Sequence, residues 1–516
     1  MHFHRIRIAW FVGVFFISMN NILSQEVSLF RLIPAQTILL PGDELFYGIM
    51  TKPALIDKKS APVFHLILQD LNKNELRRWM IKPDASVFTS KIEMPLDLAT
   101  GTYILSLALY DDVYSRILEE EDHTIHVLGQ GLNALSVFAK NQNNNPIAFT
   151  SSEKLFTREQ YCDPSSSVGL YTLVDSNLTR FDSYARHHAN INWNNIAQPV
   201  NFQKQLTYRI LPASINDLQL FYDVQTSSVT QVKYLDGQAG IVKMPDFKGI
   251  KAIQWVHVLS NAVESKITQN YPSLEWTKDD LVSITIDDII MKPWYDKLQT
   301  RALLQNVFDH DTIVHRIAKP RLSEITADNE YDLSRYQPFE SLTLFMKEIM
   351  LPIKVIEKAR GKDLRLLMGI SKAWFVQSPL LLIDGTIQPS ITTIYDLSVQ
   401  DVSSIKLYRN ADLLLKHFGP MGRNGVIEVI TKSRSSATAT INLSGLTLPI
   451  ARSTSTNSDR VNDFNSGGVQ YFSSSSTERL CIPLNDETGD FVLSRYAWEA
   501  DAVSTARKLI RIQTKN

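Results

Sequence analysis

A run of metal-binding residue types lies in the middle of the chain, where Asp309, His310 and Asp311 are followed by His315. Carboxylates and imidazoles bind divalent ions, and a bound ion can activate water for hydrolysis. The two histidines are five residues apart, however, which is off the spacing that places two side chains on one helical face. No glutamate base lies between them, unlike in a zinc-protease helix. A metal-dependent hydrolase is therefore an alternative, while our first expectation is a protein without metal or other cofactor.

The other reactive side chains form no catalytic pattern. His187 and His188 are adjacent, so on extended backbone they point to opposite sides, and we expect exposed loop histidines. The two cysteines, Cys162 and Cys481, exclude a disulfide scaffold; we expect unpaired thiols, with one long-range bridge as the alternative in an oxidising compartment. No nucleophile elbow, phosphate-binding loop or dinucleotide fingerprint occurs. The sequence thus predicts a protein that is not an enzyme and has no catalytic residue.

Length and charge limit the classes of function. A chain of 516 residues is too long for one core and is expected to form about three or four domains. The 53 lysine and arginine residues nearly balance the 54 aspartate and glutamate residues, so no overall field attracts nucleic acid or anionic lipid. We therefore expect no nucleic acid among the partners.

The first 24 residues have the pattern of a secretory signal peptide. A basic start is followed by an apolar run from Ile8 to Met19, which is shorter than the ~20 residues that span a bilayer. Ser24 is a small residue suited to the cleavage position. The expected location is outside the inner membrane, in the periplasm or associated with the outer membrane, with no spanning segment after cleavage. An uncleaved membrane anchor is the alternative.

Residues 25–128 are predicted to form a β-sandwich, because short apolar runs alternate with turn residues. The predicted strands are Gln36–Leu40, Leu45–Thr51, Pro62–Gln69, Val87–Ile92, Gly101–Leu109 and His123–Val127. Three motifs are distinctive: Pro41-Gly42-Asp43 before an aromatic strand, the run Phe64–Asp70, and Pro95 to Leu105 with Gly101 and Tyr103. They resemble macroglobulin-type domains; a generic immunoglobulin-like sandwich is the alternative. Protease-trapping macroglobulins use a Cys-Gly-Glu-Gln thioester, and Glu159-Gln160-Tyr161-Cys162 has the wrong order and no glycine.

The middle of the chain is less regular. Residues 133–265 are predicted to hold one or two further β domains, in which Pro164 to Gln198 is polar and irregular. Residues 266–330 are expected to be a connector. After the domain described next, residues 433–479 are rich in Ser and Thr and are predicted to be a flexible linker, and residues 480–516 a short β-rich segment.

Residues 331–432 are predicted to form a small α+β domain. An amphipathic helix over Pro338–Ile349 precedes a hairpin and then the strand Pro379-Leu380-Leu381-Leu382-Ile383-Asp384-Gly385. The strand around Ile405 and the glycine-rich run ending Asn424-Gly425-Val426-Ile427-Glu428-Val429-Ile430-Thr431-Lys432 follow. These motifs resemble the plug domain of TonB-dependent outer-membrane receptors, although Leu415-Lys416-His417-Phe418 replaces the small residue and tyrosine usual there.

The candidate binding residues lie in this domain. We expect Asp384, Gly385 and a tip formed by Arg423, Asn424 and Gly425 to meet a partner, with Asn424-Gly425 in a two-residue hairpin turn. The alternative is that all five serve only the turns of the fold. Too few residues follow Lys432 to build the barrel that surrounds a receptor plug, so the domain is expected to be free-standing.

The predicted fold class is mainly β with a small α+β domain, as tandem β-sandwiches followed by a plug-like domain. The predicted function is that of a non-enzymatic, secreted cell-envelope protein with a binding or scaffold role, whose partner is an envelope or outer-membrane protein. An accessory component of a TonB-dependent nutrient importer is a second candidate.

Overall fold

The structure is a computed structural model, and it is mainly β with a small α+β region. It describes residues 28–56, 61–112, 116–128, 136–138, 151–156, 160–162, 169–176, 185–189, 201–211, 217–235, 239–260, 262–264, 266–269, 271–272, 274, 283–285, 325–358, 361–433, 440–447, 469–475, 481–483, 489–499 and 502–513. Among these residues, no helix is long and apolar enough to cross a membrane.

The strands are numbered in chain order. Those of the first half are β1 (Phe30–Pro34), β2 (Ile38–Leu39), β3 (Glu44–Thr51), β4 (Phe64–Gln69), β5 (Glu75–Ile81), β6 (Val87–Glu93), β7 (Gly101–Tyr110), β8 (Ile117–Val127), β9 (Ser136–Phe138), β10 (Ser151–Phe156), β11 (Gln160–Cys162), β12 (Gly169–Asp175), β13 (Ala185–Ala189), β14 (Leu206–Ile210), β15 (Gln219–Asp223), β16 (Ser228–Gln231), β17 (Lys233–Leu235), β18 (Ala239–Met244), β19 (Ile250–His257), β20 (Ala262–Glu264) and β21 (Ser283–Thr285). Those of the second half are β22 (Asn329–Asp332), β23 (Ile353–Lys358), β24 (Gly361–Leu366), β25 (Leu380–Ile383), β26 (Thr386–Ile387), β27 (Val402–Tyr408), β28 (Val426–Thr431), β29 (Ile441–Ser444), β30 (Val469–Ser475), β31 (Cys481–Pro483), β32 (Gly489–Glu499) and β33 (Ala502–Gln513), with helices α1 (Leu342–Glu348) and α2 (Ala411–Phe418).

The chain divides into two compact units, each built from separated segments. The first unit comprises residues 1–204, 272–310 and 447–516, and the second comprises residues 205–271 and 311–446. The second unit is thus inserted into the first. The segment predicted to be a connector, 266–330, is divided between the two units.

The first unit begins with a β-sandwich. One sheet has the order β1-β3-β6, and the other has the order β13-β8-β7-β4-β5 with β2 beside β8. Side chains of both sheets share one core, including Phe30, Tyr47, Phe64, Leu107 and Ile125. All six strands predicted for residues 25–128 are confirmed in position. The sequence analysis missed β1 and β5, and it placed the start of β8 too late.

The early part of β8 was missed because it is acidic. Glu119, Glu120, Glu121 and Asp122 are nevertheless buried. Glu119 Oε1 accepts hydrogen bonds from the Leu29 N–H at 2.8 Å and the Ser28 hydroxyl at 2.9 Å, and Glu121 Oε2 accepts one from the Leu32 N–H at 2.8 Å. The Glu119 and Glu121 carboxylates thus accept hydrogen bonds from the backbone N–H groups of Leu29 and Leu32, which makes the burial of these two side chains tolerable.

A further sheet of the first unit is formed by segments far apart in sequence. Its order is β10-β33-β32-β12-β30, in which β10 and β33 are parallel and the other pairs are antiparallel. Beside it, β11 pairs with β31. Tyr171, Leu173, Phe491, Leu493, Ile510 and Ile512 form its core.

Two expectations from composition are therefore corrected. The polar segment Pro164 to Gln198 contains β12 and β13, and the predicted Ser/Thr-rich linker 433–479 contains β29 and β30. Serine and threonine were interpreted as signs of flexibility, but β30 also contains Val469, Tyr471 and Phe472, residue types that fit a pleated strand once a partner strand is present.

The second unit combines a β region with the α+β domain. Strands β14, β17 and β18 form one sheet, and β16-β15-β19-β20, with β29 beside β19, form another. The α+β domain has the sheet order β22-β27-β28-β25-β26 and a separate hairpin, β23-β24. Helix α1 packs Leu342, Phe345 and Met346 into its core, which confirms the predicted amphipathic helix.

The segment before β28 differs from the expectation. Leu415-Lys416-His417-Phe418 belongs to helix α2, which Asn410 caps by accepting a hydrogen bond from the Leu413 N–H. A 3-10 helix over Gly419–Asn424 follows, so Asn424-Gly425 ends a helical turn and is not a hairpin turn. Gly425 keeps the positive φ, 86°, that the dipeptide predicted.

Candidate functional site

Asp384 and Gly385 form the two-residue turn between β25 and β26, where Ile383 pairs with Thr386. Both residues have positive φ, 49° and 82°, as a type I′ turn requires, and Asp and Gly are the residues that tolerate it. The Asp384 carboxylate accepts hydrogen bonds from the Thr431 N–H at 2.8 Å and the Thr431 hydroxyl at 2.6 Å. Asp384 therefore ties the turn to the end of β28.

Gly385 is buried, and it contacts strands of the β region of the second unit. Its carbonyl oxygen accepts a hydrogen bond of 3.0 Å from the Tyr222 hydroxyl of β15. The Gln254 side chain of β19 pairs with the Ile387 backbone, donating to its carbonyl at 3.0 Å and accepting from its N–H at 2.6 Å. The Asp384-Gly385 turn is thus joined to the β15–β19 sheet.

The other three candidate residues surround the start of β28. Arg423 is exposed. Asn424 Nδ2 donates to Gln377 Oε1 at 3.3 Å. Gly425 is buried, and a Cβ there would lie 2.7 Å from Leu366 Cδ1 and 3.1 Å from the Tyr408 carbonyl oxygen.

The structure does not bring the five candidates together. Strands β25 and β28 are parallel, with Leu380 opposite Val426 and Ile383 opposite Val429. Arg423 to Gly425 precede one end of this pair and Asp384-Gly385 follow the other, so that Gly425 and Asp384 are about 16 Å apart along the strands. Of the five residues, Arg423 has the side chain that is open to a partner.

A surface that the sequence analysis did not identify lies at the Arg423 end of the domain. It consists of Leu351, Ile370, Trp374 and Val376, which we call the apolar tip. Their exposed fractions are 85%, 93%, 39% and 82%. Leu351 precedes β23, and the other three residues follow β24. Exposed apolar residues are unremarkable singly, but several of them on adjoining segments make a candidate interaction surface.

Backbone contacts hold the apolar tip together. The Leu367 N–H donates to the Pro352 carbonyl at 2.9 Å, and Leu367 forms a bridge with Trp374. The Met368 N–H donates to the Ala373 carbonyl at 2.8 Å, which closes the turn that carries Ile370. The tip is therefore a continuation of the β23–β24 hairpin with a third strand-like segment.

The Asn424–Gln377 hydrogen bond places the Arg423 turn beside the chain that follows Val376. The signal available in the sequence was the run Ala373-Trp374-Phe375-Val376, apolar but outside every predicted element.

Buried titratable groups of the α+β domain serve the fold. Tyr408 donates to Glu428 Oε2 at 2.8 Å on neighbouring strands. Burial raises the pKa of Glu428, an effect that the Tyr408 hydrogen bond partly offsets. Burial likewise raises the pKa of Tyr408, and the Glu428 charge adds to it. Both groups are held towards their neutral forms, which suits a closed hydrogen-bonded pair.

A serine, a histidine and an aspartate meet in the β region of the same unit. Ser260 Oγ donates to Asp217 Oδ2 at 2.8 Å, and His257 Nδ1 lies 3.8 Å from the same oxygen. A nucleophilic serine requires its hydroxyl on the histidine base, and here the hydroxyl binds the carboxylate instead. Asp217 also accepts from the Leu259 N–H at 2.7 Å, so the group stabilises the turn after β19.

The predicted metal-binding residues Asp309, His310, Asp311 and His315 lie outside the described residues. The described part of the chain holds no group of three or more His, Cys, Asp or Glu residues that could bind a metal. His187 and His188 were expected in a loop, but they lie in β13, where the backbone register pairs them with Glu121 and Glu120 of β8.

Comparisons with known proteins assign no family to the chain. No family model matches the chain. No curated protein matches it either. Among solved structures it is similar to Escherichia coli alpha-2-macroglobulin activated by porcine elastase, at 7% identity and TM-score 0.23, over 94% of this chain and 44% of that one. It is also similar to Salmonella alpha-2-macroglobulin reacted with methylamine, at 9% identity and TM-score 0.23, over 94% and 39%. The chain thus spans less than half the length of these structures, and we take no residue role from them.

Proposed function

We propose that this protein is a non-enzymatic binding or scaffold protein of the cell envelope, which uses the apolar tip of its α+β domain to bind an envelope or outer-membrane protein. The observation that carries the proposal is the exposure of Leu351, Ile370 and Val376 on a hairpin whose backbone is fixed by hydrogen bonds. A rigid apolar surface loses little conformational entropy on binding. The other end of the domain is already joined to the β15–β19 sheet through Tyr222.

The chemistry of the tip indicates what kind of partner it fits. Three strongly exposed apolar side chains and the Trp374 ring supply area to be removed from water, and Trp is among the residues most often found at the energetic centre of an interface. The exposed Arg423 guanidinium is available to a carboxylate at the margin. A protein surface with apolar residues and a nearby acidic residue is the complementary partner.

The location outside the inner membrane is supported by the basic and apolar pattern of residues 1–24. In this proposal, the first β-sandwich acts as a macroglobulin-like spacer, and the α+β domain acts as a plug-like binding module. Cell fractionation, followed by protease added to intact cells, tests the location. Full-length protein in the cytosol with residues 1–24 still attached would overturn it.

The binding role is tested by recovery of a partner from crosslinked envelope extract with the tagged, full-length chain. We expect one discrete partner, and about a tenfold loss of recovery for the double variant Ile370→Ser/Val376→Ser, because each side chain contributes apolar area. Leu259→Ser is the matched control, since Leu259 is 74% exposed in the same unit but lies between β19 and β20 in the β region. Equal recovery by both variants would contradict the proposal. A partner that is a large outer-membrane barrel would assign the protein to nutrient import.

A further inference from the structure

The two cysteines of the chain are direct partners in a β-ladder. Strand β11 pairs antiparallel with β31, and the register places Cys162 opposite Cys481, Tyr161 opposite Ile482 and Gln160 opposite Pro483. The sequence contains two cysteines in 516 residues, so their meeting at one rung is not a consequence of cysteine abundance. We propose that Cys162 and Cys481 form an intramolecular disulfide that closes the discontinuous domain of the first unit.

The geometry of the ladder suits the bond. Directly opposite residues of an antiparallel pair have Cα atoms about 4.5–5.5 Å apart. A disulfide joins residues whose Cα atoms are about 4.4–6.8 Å apart. The register alone therefore satisfies the main distance condition without movement of either strand.

Pro483 indicates which kind of rung the cysteines occupy. Hydrogen-bonded and non-hydrogen-bonded rungs alternate along an antiparallel pair, and proline has no N–H to donate. The Gln160–Pro483 rung is thus suited to the non-hydrogen-bonded kind, with Tyr161–Ile482 as the hydrogen-bonded rung between. Alternation then makes Cys162–Cys481 a non-hydrogen-bonded rung, where side chains of opposite residues are closest.

The position of the bond in the fold gives it a role. One half of the domain comes from β10, β11 and β12, and the other half comes from β30 to β33. The entire second unit lies between these halves in the sequence. A covalent link between β11 and β31 therefore joins two segments of the first unit that lie on either side of the insertion in the sequence. In the unfolded chain the bond would keep the two ends of the long loop between Cys162 and Cys481 together. Without it, strand pairing alone would have to close that loop.

The reaction is an oxidation of two thiols. One cysteine thiolate attacks a small-molecule or protein disulfide and forms a mixed disulfide, and the second thiolate then displaces the remaining half. Two electrons pass to the oxidant, which leaves as two thiols carrying the two protons. Such oxidants operate in the periplasm, so the bond in cells rests on the proposed location, while its formation in the purified protein does not.

The deciding experiment uses the full-length purified chain, reduced, freed of reductant and then exposed to oxidised glutathione without denaturant. Thiols are afterwards alkylated in denaturant, and the protein is digested for mass spectrometry. We expect loss of both alkylatable thiols, a monomer lighter by two hydrogen atoms, and a linked peptide containing Cys162 and Cys481. Cys162→Ser and Cys481→Ser should each instead keep one thiol or take up one glutathione.

Thermal unfolding gives a second measurement. Reductant is expected to lower the Tm of the oxidised protein by on the order of 5 °C, and to leave the Cys162→Ser/Cys481→Ser double variant unchanged. Two alkylatable thiols, two bound glutathiones, or bonds formed only between chains would overturn the proposal. The alkylation state of protein recovered from cells tests the location separately. A bridge that closes in vitro but is absent in cells would contradict the proposed compartment and leave the pairing standing.

Discussion

The Tyr222 hydroxyl donates a 3.0 Å hydrogen bond to the carbonyl oxygen of Gly385, and through it a strand of the β region holds the tightest turn of the α+β domain. The Tyr222 ring also stacks on Phe418 of α2, with centroids 5.9 Å apart. Tyr222, Val256, Leu382, Leu414 and Val426 share one apolar cluster. The α+β domain therefore does not stand alone within the second unit, and one predicted binding residue, Gly385, is part of this junction.

Tyr222→Phe is expected to weaken the junction by about 1 kcal/mol, because it removes a buried hydrogen bond and keeps the ring stacking. Hydrogen exchange of peptides covering 380–387 should accelerate about fivefold if local opening limits exchange. Tyr336→Phe is the control, since Tyr336 is 37% exposed in the same unit. Equal exchange rates in the wild-type chain and Tyr222→Phe would show that the hydrogen bond contributes no stability.

Gly425→Ala is expected to destabilise the second unit by about 2–4 kcal/mol, through positive φ together with the contact on Leu366. Gly361→Ala separates the two causes. Gly361 has φ 126°, but a Cβ there meets no atom within 4 Å. Urea unfolding of both variants measures the difference. If Gly361→Ala proves as damaging as Gly425→Ala, the packing explanation fails.

The first sandwich is expected to lose stability in mild acid. Burial lowers the pKa of His126 from 6.5 to about 4, and burial with the Arg78 charge lowers that of His65 as well. Below pH 6.5 these histidines bind protons in the unfolded chain but stay neutral in the folded domain. The free energy of unfolding therefore falls between pH 6.5 and 4, by about 3 kcal/mol for His126. His126→Gln should flatten the profile of Tm against pH. A wild-type Tm constant over this range would be inconsistent with neutral, buried histidines.

The second unit is expected to respond in the opposite direction at Glu428. Because burial raises its folded pKa above 4.5, the folded state keeps a proton that the unfolded chain releases. This contribution to stability is present below pH 4.5 and is lost as the pH rises through the folded pKa. Glu428→Gln should therefore stabilise the unit more at pH 8 than at pH 4. Destabilisation by Glu428→Gln that is larger at pH 8 would mean that the carboxylate is ionised in the fold.

Local patterns predicted the elements better than their partners. The alternation of apolar residues located most strands of the first sandwich, and Asp384-Gly385 was rightly placed at a turn. Helix α2 was missed although Asn410, Asp412 and Lys416 are good signals of a cap, a first turn and a last turn. Because a glycine-rich run follows these residues, the sequence analysis predicted no helix in the segment before β28.

Long-range pairing could not be read from the sequence. Nothing near β12 indicates that β30 and β32 will lie on either side of it, because ladder register depends on contacts between residues far apart in the chain. For the same reason, the sequence analysis could not predict that Cys162 and Cys481 lie opposite each other in the β11–β31 ladder. It also separated the five candidate binding residues, since their distance depends on the parallel pairing of β25 with β28.

The binding role of the apolar tip is tested most directly by site-specific photo-crosslinking in living cells. A benzophenone amino acid is placed singly at Ile370, Val376 or Leu259 of the full-length chain, and the cells are illuminated. Positions 370 and 376 are expected to give the same discrete adduct with one envelope protein, and position 259 is expected to give none. Absence of an adduct at both tip positions, or the same adduct at all three, would contradict the account.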